Sequence, residues 1–273
     1  MKKSAILTAA LFSVLPLAPA ADAPQKLDVS KLPQQSKMVD EVVVPIPSEI
    51  FGVLDKLGKP NWVGVQKPLK GVAKPFGDPP QVALYLGTVI AEGFIAVEAG
   101  DAEEVKNIGN SVLSLSAALG VRSAVVKRAN AVIAAADKAN WPQVRKELDG
   151  ALNEVKRALE ELNSQDQANL ISLGGWVRGT EALCEVVTRD YSADGADLLN
   201  QPALLSHFTG KIAGMKPRVR KHPLVTKSQT ALNALTPLIS PPGGAVISEK
   251  SVKEIRDIAA DLTKAIQTNP NKP

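Results

Sequence analysis

Residues 164–191 read SQDQANLISLGGWVRGTEALCEVVTRDY, and the rest of the chain is organised around this stretch. Ser164 and Gln167 have capping-box spacing, in which side chains satisfy the free amides of a first helical turn, so a helix is expected from about residue 165. Leu170, Leu173, Val177, Thr180, Cys184, Val187 and Tyr191 then recur at steps of three and four, which stacks them on one face. Gly175, Gly179, Ala182 and Val186 form a second face of small residues. Each interior glycine costs roughly 1 kcal/mol of helix stability relative to alanine, so close approach of another helix is the expected compensation. Two apolar or small faces with few charges place this helix in the middle of a bundle.

Working outward, Val82–Ala99 is apolar nearly all round and contains Gly87 and Gly93, the pattern of a second central helix. Asp101 with Glu104, and Ser251 with Glu254, have capping-box spacing ahead of the stripes Val105, Ile108, Val112, Leu115, Leu119 and Val252, Ile255, Ala259, Leu262, Ile266. Helices are also expected at 122–139, from Pro142 to Leu162, in a shorter region containing Leu204 to Ile212, and at 223–239. The helix after Pro142 carries Val144, Leu148, Leu152, Val155, Leu159 and Leu162 on its apolar face, and Arg145, Glu147 and other charges on a solvated one. No strand pair is expected. The fold class is therefore all-α, a multi-helix bundle of antiparallel helices with an extended Pro/Lys-rich N-terminal strap.

The expected organisation runs in five parts. Residues 1–20 have the order of a secretory signal peptide: Lys2 and Lys3, an apolar run, then Ala18-Pro19-Ala20. This predicts cleavage after Ala20 and a periplasmic or secreted product. Residues 21–44 are a polar, mobile arm. Residues 45–80 hold a short helix ending at Gly58 and a Pro/Gly/Lys-rich strap, with Trp62 and Phe76 to pin it. Residues 81–267 form the helical bundle and 268–273 a polar tail. Val82–Val97 is the strongest candidate for a membrane span, but it is too short and holds Glu92, so no transmembrane segment is expected.

The formal charge of +4 falls by two without Lys2 and Lys3, so net charge implies no particular partner. Cys184 is the only cysteine and excludes an internal disulfide; its apolar neighbours predict a buried, inert thiol. The sequence offers no cofactor motif, no closely spaced histidine pair, no cysteine cluster and no nucleophile elbow. His207 and His222 carry no metal-ligand spacing, so neither a catalytic nor a metal site is expected.

Three places together resemble an uncharacterised family of exported bacterial proteins. Pro45-Ile46-Pro47-Ser48-Glu49 is similar to its turn-opened short helix, Leu86-Gly87 with Ala91-Glu92 to its Leu-Gly and Ala-Asp, and Gly174-Gly175-Trp176-Val177-Arg178-Gly179 to its Gly-Gly-Trp-Ile-Glu-Gly. The resemblance implies a shared helix packing and supplies no activity. Arg178 stands where the family usually has an acid.

Two sets of residues are candidates for a site. Glu92, Trp176, Arg178, Glu181 and Glu185 lie on the two glycine-bearing helices, and a carboxylate in so apolar a helix needs a partner or a solvated cleft. The set reads either as a structural ion-pair cluster or as a small ligand cleft beside Trp176. Lys211, Lys216, Arg218, Arg220, Lys221 and Lys227 form an acid-free basic stretch suited to an anionic partner. It lacks aromatics for base stacking, so nucleic acid is not expected; an envelope protein or a small ligand is, with peripheral membrane contact the weaker alternative. The favoured function is a non-catalytic binding or envelope-assembly module, and the alternative is a carboxylate/Arg-based enzyme or small-ligand binder.

Overall fold

The computed structural model describes residues 60–269, together with two short strands, β1 (Met38–Val39) and β2 (Val42–Val43). These pair antiparallel, Met38 opposite Val43 and Val39 opposite Val42, a ladder too short to alter an all-α architecture. The expected signal peptide, the rest of the arm, the short helix ending at Gly58 and residues 270–273 lie outside the described residues.

The strap enters through a 3-10 turn, Trp62–Gly64, and runs without regular structure to Asp78. Helix α1 (Pro79–Ala99) begins where Asp78 accepts the Gln81 amide at 3.4 Å, with two prolines in the first turn, where their missing N–H costs nothing. It stops at Gly100, whose φ of 71° belongs to the left-handed region. Every residue from Pro80 to Val97 is buried. The helix is long and apolar enough to cross a membrane by length and composition, but here protein covers it on all sides. Helices α2 (Ala102–Ala118), α3 (Arg122–Ala136) and α4 (Trp141–Glu161) follow through tight turns, each packing on the next.

Helix α5 (Gln165–Arg189) packs most extensively against α1. After it come α6 (Ala193–Asp197), α7 (Pro202–Gly214), α8 (Pro217–Arg220), α9 (Pro223–Ile239) and α10 (Glu249–Gln267). The last of these covers a further face of α5 and pairs with α9. The expected stripe of α10, from Val252 to Ile266, is wholly buried.

Several local expectations are corrected. Ser164 makes no side-chain cap; its hydroxyl turns back to the Leu162 carbonyl at 3.4 Å. Asp101 does accept the Glu104 amide at 3.0 Å, but Glu104 turns to the strap instead of completing the box. Helix α10 starts one turn earlier than expected, because Ser248 already accepts the Ser251 amide at 3.1 Å. Leu162 falls past the end of α4 and is 56 % exposed. The polar face of α4 is not simply solvated: Arg145 holds Glu98 through two bonds of 2.8 and 2.6 Å, and Glu147 is buried against Arg128 at 2.9 Å.

The helix crossing is also placed differently. A Cβ on Gly87 would run into the Ile171 carbonyl, and one on Gly174 into the Leu84 carbonyl, so these two glycines set the approach of α1 and α5. A Cβ on Gly175 would come within 3.5 Å of the Gly87 oxygen, an ordinary contact, whereas one on Gly179 would meet nothing within 4 Å. Gly179, expected at the crossing, is not part of it. Successive residues turn by about 100° around a helix, so only the glycines on the arc facing α1 can take part.

Candidate functional site

Glu92 occupies the middle of α1 and Arg178 the middle of α5, facing each other across the crossing. Arg178 Nε donates to Glu92 Oε2 at 2.8 Å with both side chains buried. Its Nη2 donates to the Val65 carbonyl of the strap at 2.9 Å. Its Nη1 lies 3.5 Å from Glu181 Oε2, one turn further along α5. The other oxygen of Glu92 accepts the backbone amide of Lys67 at 2.5 Å. The Lys67 ammonium bonds Glu181 and lies 3.3 Å from Glu185, remaining partly exposed at the edge of the cluster.

Three carboxylates meet one guanidinium and one ammonium, which leaves one negative charge in excess, and the Lys67 amide takes part of the remaining acceptor capacity. Burying such charges is tolerable only because they are paired and hydrogen-bonded. The Nη1 of Arg178 and the Oε2 of Glu181 face each other as a longer ion pair rather than as a hydrogen bond. Adjacent to this cluster, Glu104 accepts the Leu69 amide at 2.7 Å and the Asn107 amide group at 3.1 Å. Burial raises its pKa, against the lowering effect of those two bonds.

Of the residues singled out from sequence, the structure unites Glu92, Arg178 and Glu181 and adds Glu185 through Lys67. Trp176 is set apart. Its indole donates to Gln201 at 3.2 Å and its ring meets Phe208 of α7 at 5.5 Å. Two residues along a helix point to nearly opposite sides, so Trp176 and Arg178 cannot line one cleft. Lys67, Val65 and Glu104 are the members sequence reasoning missed. Only the capping position of Glu104 and the Lys-Pro of the strap drew attention to them, and neither feature names a partner far away in the chain.

The basic stretch runs from the end of α7 through α8 into α9, on a different part of the molecule. Lys216, Arg218, Arg220, Lys221 and Lys227 are exposed, and Lys211 is half-buried. Its backbone is anchored where Asp166 accepts the Lys216 amide at 3.1 Å and Arg220 donates to the Ala213 carbonyl at 2.9 Å. His222 lies 3.1 Å from Asp78, while the His207 ring packs edge-on to Phe208. Among the described residues no group of three or more His, Cys, Asp or Glu side chains is arranged to hold a metal ion.

Cys184 is buried on α5, and burial raises its thiol pKa far above the ordinary value. Such a thiol is a poor nucleophile.

Compared with protein-family models, curated proteins and solved structures, the chain matches none.

Proposed function

We propose that the protein is a non-catalytic helical module that works by binding a partner or supporting an assembly in the bacterial envelope, after export and removal of its first 20 residues. The observation that carries this reading is the state of its sharpest polar cluster. Glu92, Arg178 and Glu181 are buried, paired with one another and closed over by Val65 and Lys67. A general acid or base has to reach the proton it moves, and a carboxylate buried in an ion pair beneath a strap is not placed to do so. The order Lys2, Lys3, apolar run and Ala18-Pro19-Ala20 supports export.

The test is cross-linking of the full chain in intact bacteria, read by mass spectrometry, together with extraction of the purified protein for bound small molecules. A reproducible envelope partner, still captured by a folded Glu181→Gln variant, is the expected result. A small molecule that co-purifies with the wild type and is lost from that variant would instead favour the ligand-binding alternative.

A further inference from the structure

The strap is held by groups that grip peptide backbone. The amides of Lys67, Leu69 and Ala73 donate to Glu92, Glu104 and Ser111 at 2.5, 2.7 and 2.8 Å. The carbonyls of Asn61 and Gly64 accept from Arg189 at 2.9 and 2.6 Å, and that of Val65 accepts from Arg178. Three side chains, Trp62, Val65 and Ala73, are buried, while Val63, Lys70 and Val72 between them are exposed. Main-chain hydrogen bonds supply the hold and a few spaced side-chain pockets supply register, which is how proteins bind extended peptides in trans.

The link from this segment to α1 is built differently. Over residues 74–77 the backbone amides make no hydrogen bond among the described residues. Lys74, Pro75 and Gly77 are exposed, and Phe76 ties the link by one ring contact, its centroid 5.1 Å from that of Tyr85 in α1. Pro75 biases the link towards an extended path, Pro79 holds the preceding Asp78 extended at a ψ of 174°, and Gly77 sits at a φ of 74° where the chain turns into α1. The strap therefore combines a specific seat with a weakly tied tether.

We propose that the face formed by α1, α2 and α5 is a peptide-binding groove whose exchangeable occupant is the strap of a second copy of this chain, giving a strap-swapped dimer. The second copy carries the one sequence seen to fill all three pockets in register. Closed and swapped forms contain the same groove contacts, so contact energy does not choose between them. The tether and the protein concentration do. The inference does not depend on the envelope reading above, and it concerns self-association rather than a foreign partner.

The test places Leu69→Cys and Asn107→Cys in separate full-length chains that also carry Cys184→Ala. Asn107 Nδ2 lies 3.5 Å from the Leu69 carbonyl, so the two positions adjoin across the contact of strap and α2, and in separate chains they can be joined only when one chain's strap sits in the other's groove. The two proteins are mixed at high concentration in mild denaturant, returned to native buffer and oxidised. The expected result is a disulfide-linked heterodimer at least tenfold more abundant than the dimer formed by either protein alone, and lost when the Leu69→Cys chain also carries Trp62→Ala. Mixed chains that stay monomeric, while a chain carrying both cysteines closes on itself, overturn the proposal. If the cysteine variants lose their helical circular dichroism, light scattering of the unaltered protein decides. A mass that doubles with concentration in the wild type but not in Trp62→Ala supports strap exchange. A constant single-chain mass, or a doubling that Trp62→Ala leaves intact, overturns it.

Discussion

Arg178 is fully buried between two carboxylates, so its removal leaves Glu92 without a charged partner and Glu181 with Lys67 alone. Breaking a buried pair in this way costs about 3–5 kcal/mol. Arg178→Met is expected to destabilise by that order in urea unfolding. Adding Glu92→Gln removes the charge left without a partner, so the double variant should lose less than the sum of the singles, with a coupling of about 0.5–3 kcal/mol. Strict additivity would mean that the two side chains do not share one network. Cys184 is the second residue whose behaviour is fixed by burial. Its thiol, with an ordinary value of 9.0, is held protonated in the folded protein by desolvation. The unfolded chain ionises this thiol first, so the contribution to stability is intact below about pH 9 and declines as pH rises beyond it. Native protein should resist thiol reagents at pH 8 to 9, on the order of its unfolding rate; fast labelling without denaturant would show an open path to α5.

At the scale of the elements, the α1–α5 crossing turns on which glycines face the partner helix. Gly87 and Gly174 each lie against the other helix's backbone, which cannot move aside as a side chain can. Gly87→Ala and Gly174→Ala should each destabilise by about 1–3 kcal/mol through overpacking. Gly179→Ala has open space and should stabilise by up to about 1 kcal/mol from helix propensity alone. Thermal melts of the three variants distinguish this crossing from one centred on Gly179. Sequence periodicity made both helices and their small faces legible, because burial leaves a 3.6-residue repeat. It did not reveal which arc faces which neighbour, since that depends on the crossing point. The caps slipped for a related reason: serine caps well at either position, and Ser248, next to the buried Ile247, is the one that accepts the amide three residues on.

At the scale of the whole molecule, the all-α bundle follows from the pattern of stripes, while the polar cluster was only half legible. Glu92 and Arg178 stand out as charges in apolar helices, and pairing them needs no more than that contrast. Lys67, Val65 and Glu104 join them through the path of the strap, which has no periodicity to read. Trp176 drew attention by being large and near in sequence, yet the helix turns it towards α7. The bundle also depends on its last helix: α10 covers α5, and the Gln81 side chain of α1 donates to the Ile266 and Thr268 carbonyls at 3.5 and 3.1 Å. Deleting residues 249–267 is expected to abolish cooperative thermal unfolding, not merely to lower its midpoint, as followed by circular dichroism. A sharp transition in the shortened chain would show that the remaining helices fold as an independent unit.

The burial of α1 on every side has a consequence for the order of events at synthesis. This helix leaves the ribosome early, yet the surfaces that cover it, α5 and the end of α10, are made much later. Until they arrive, only the strap, α2 and α4 can cover this segment, and the faces of α1 that α5 and α10 will bury stay open, the condition under which partly made chains aggregate. The apolar face of α1 that meets α5 therefore stays uncovered while α2 to α4 are made, and its burial is complete only when α10 has been added.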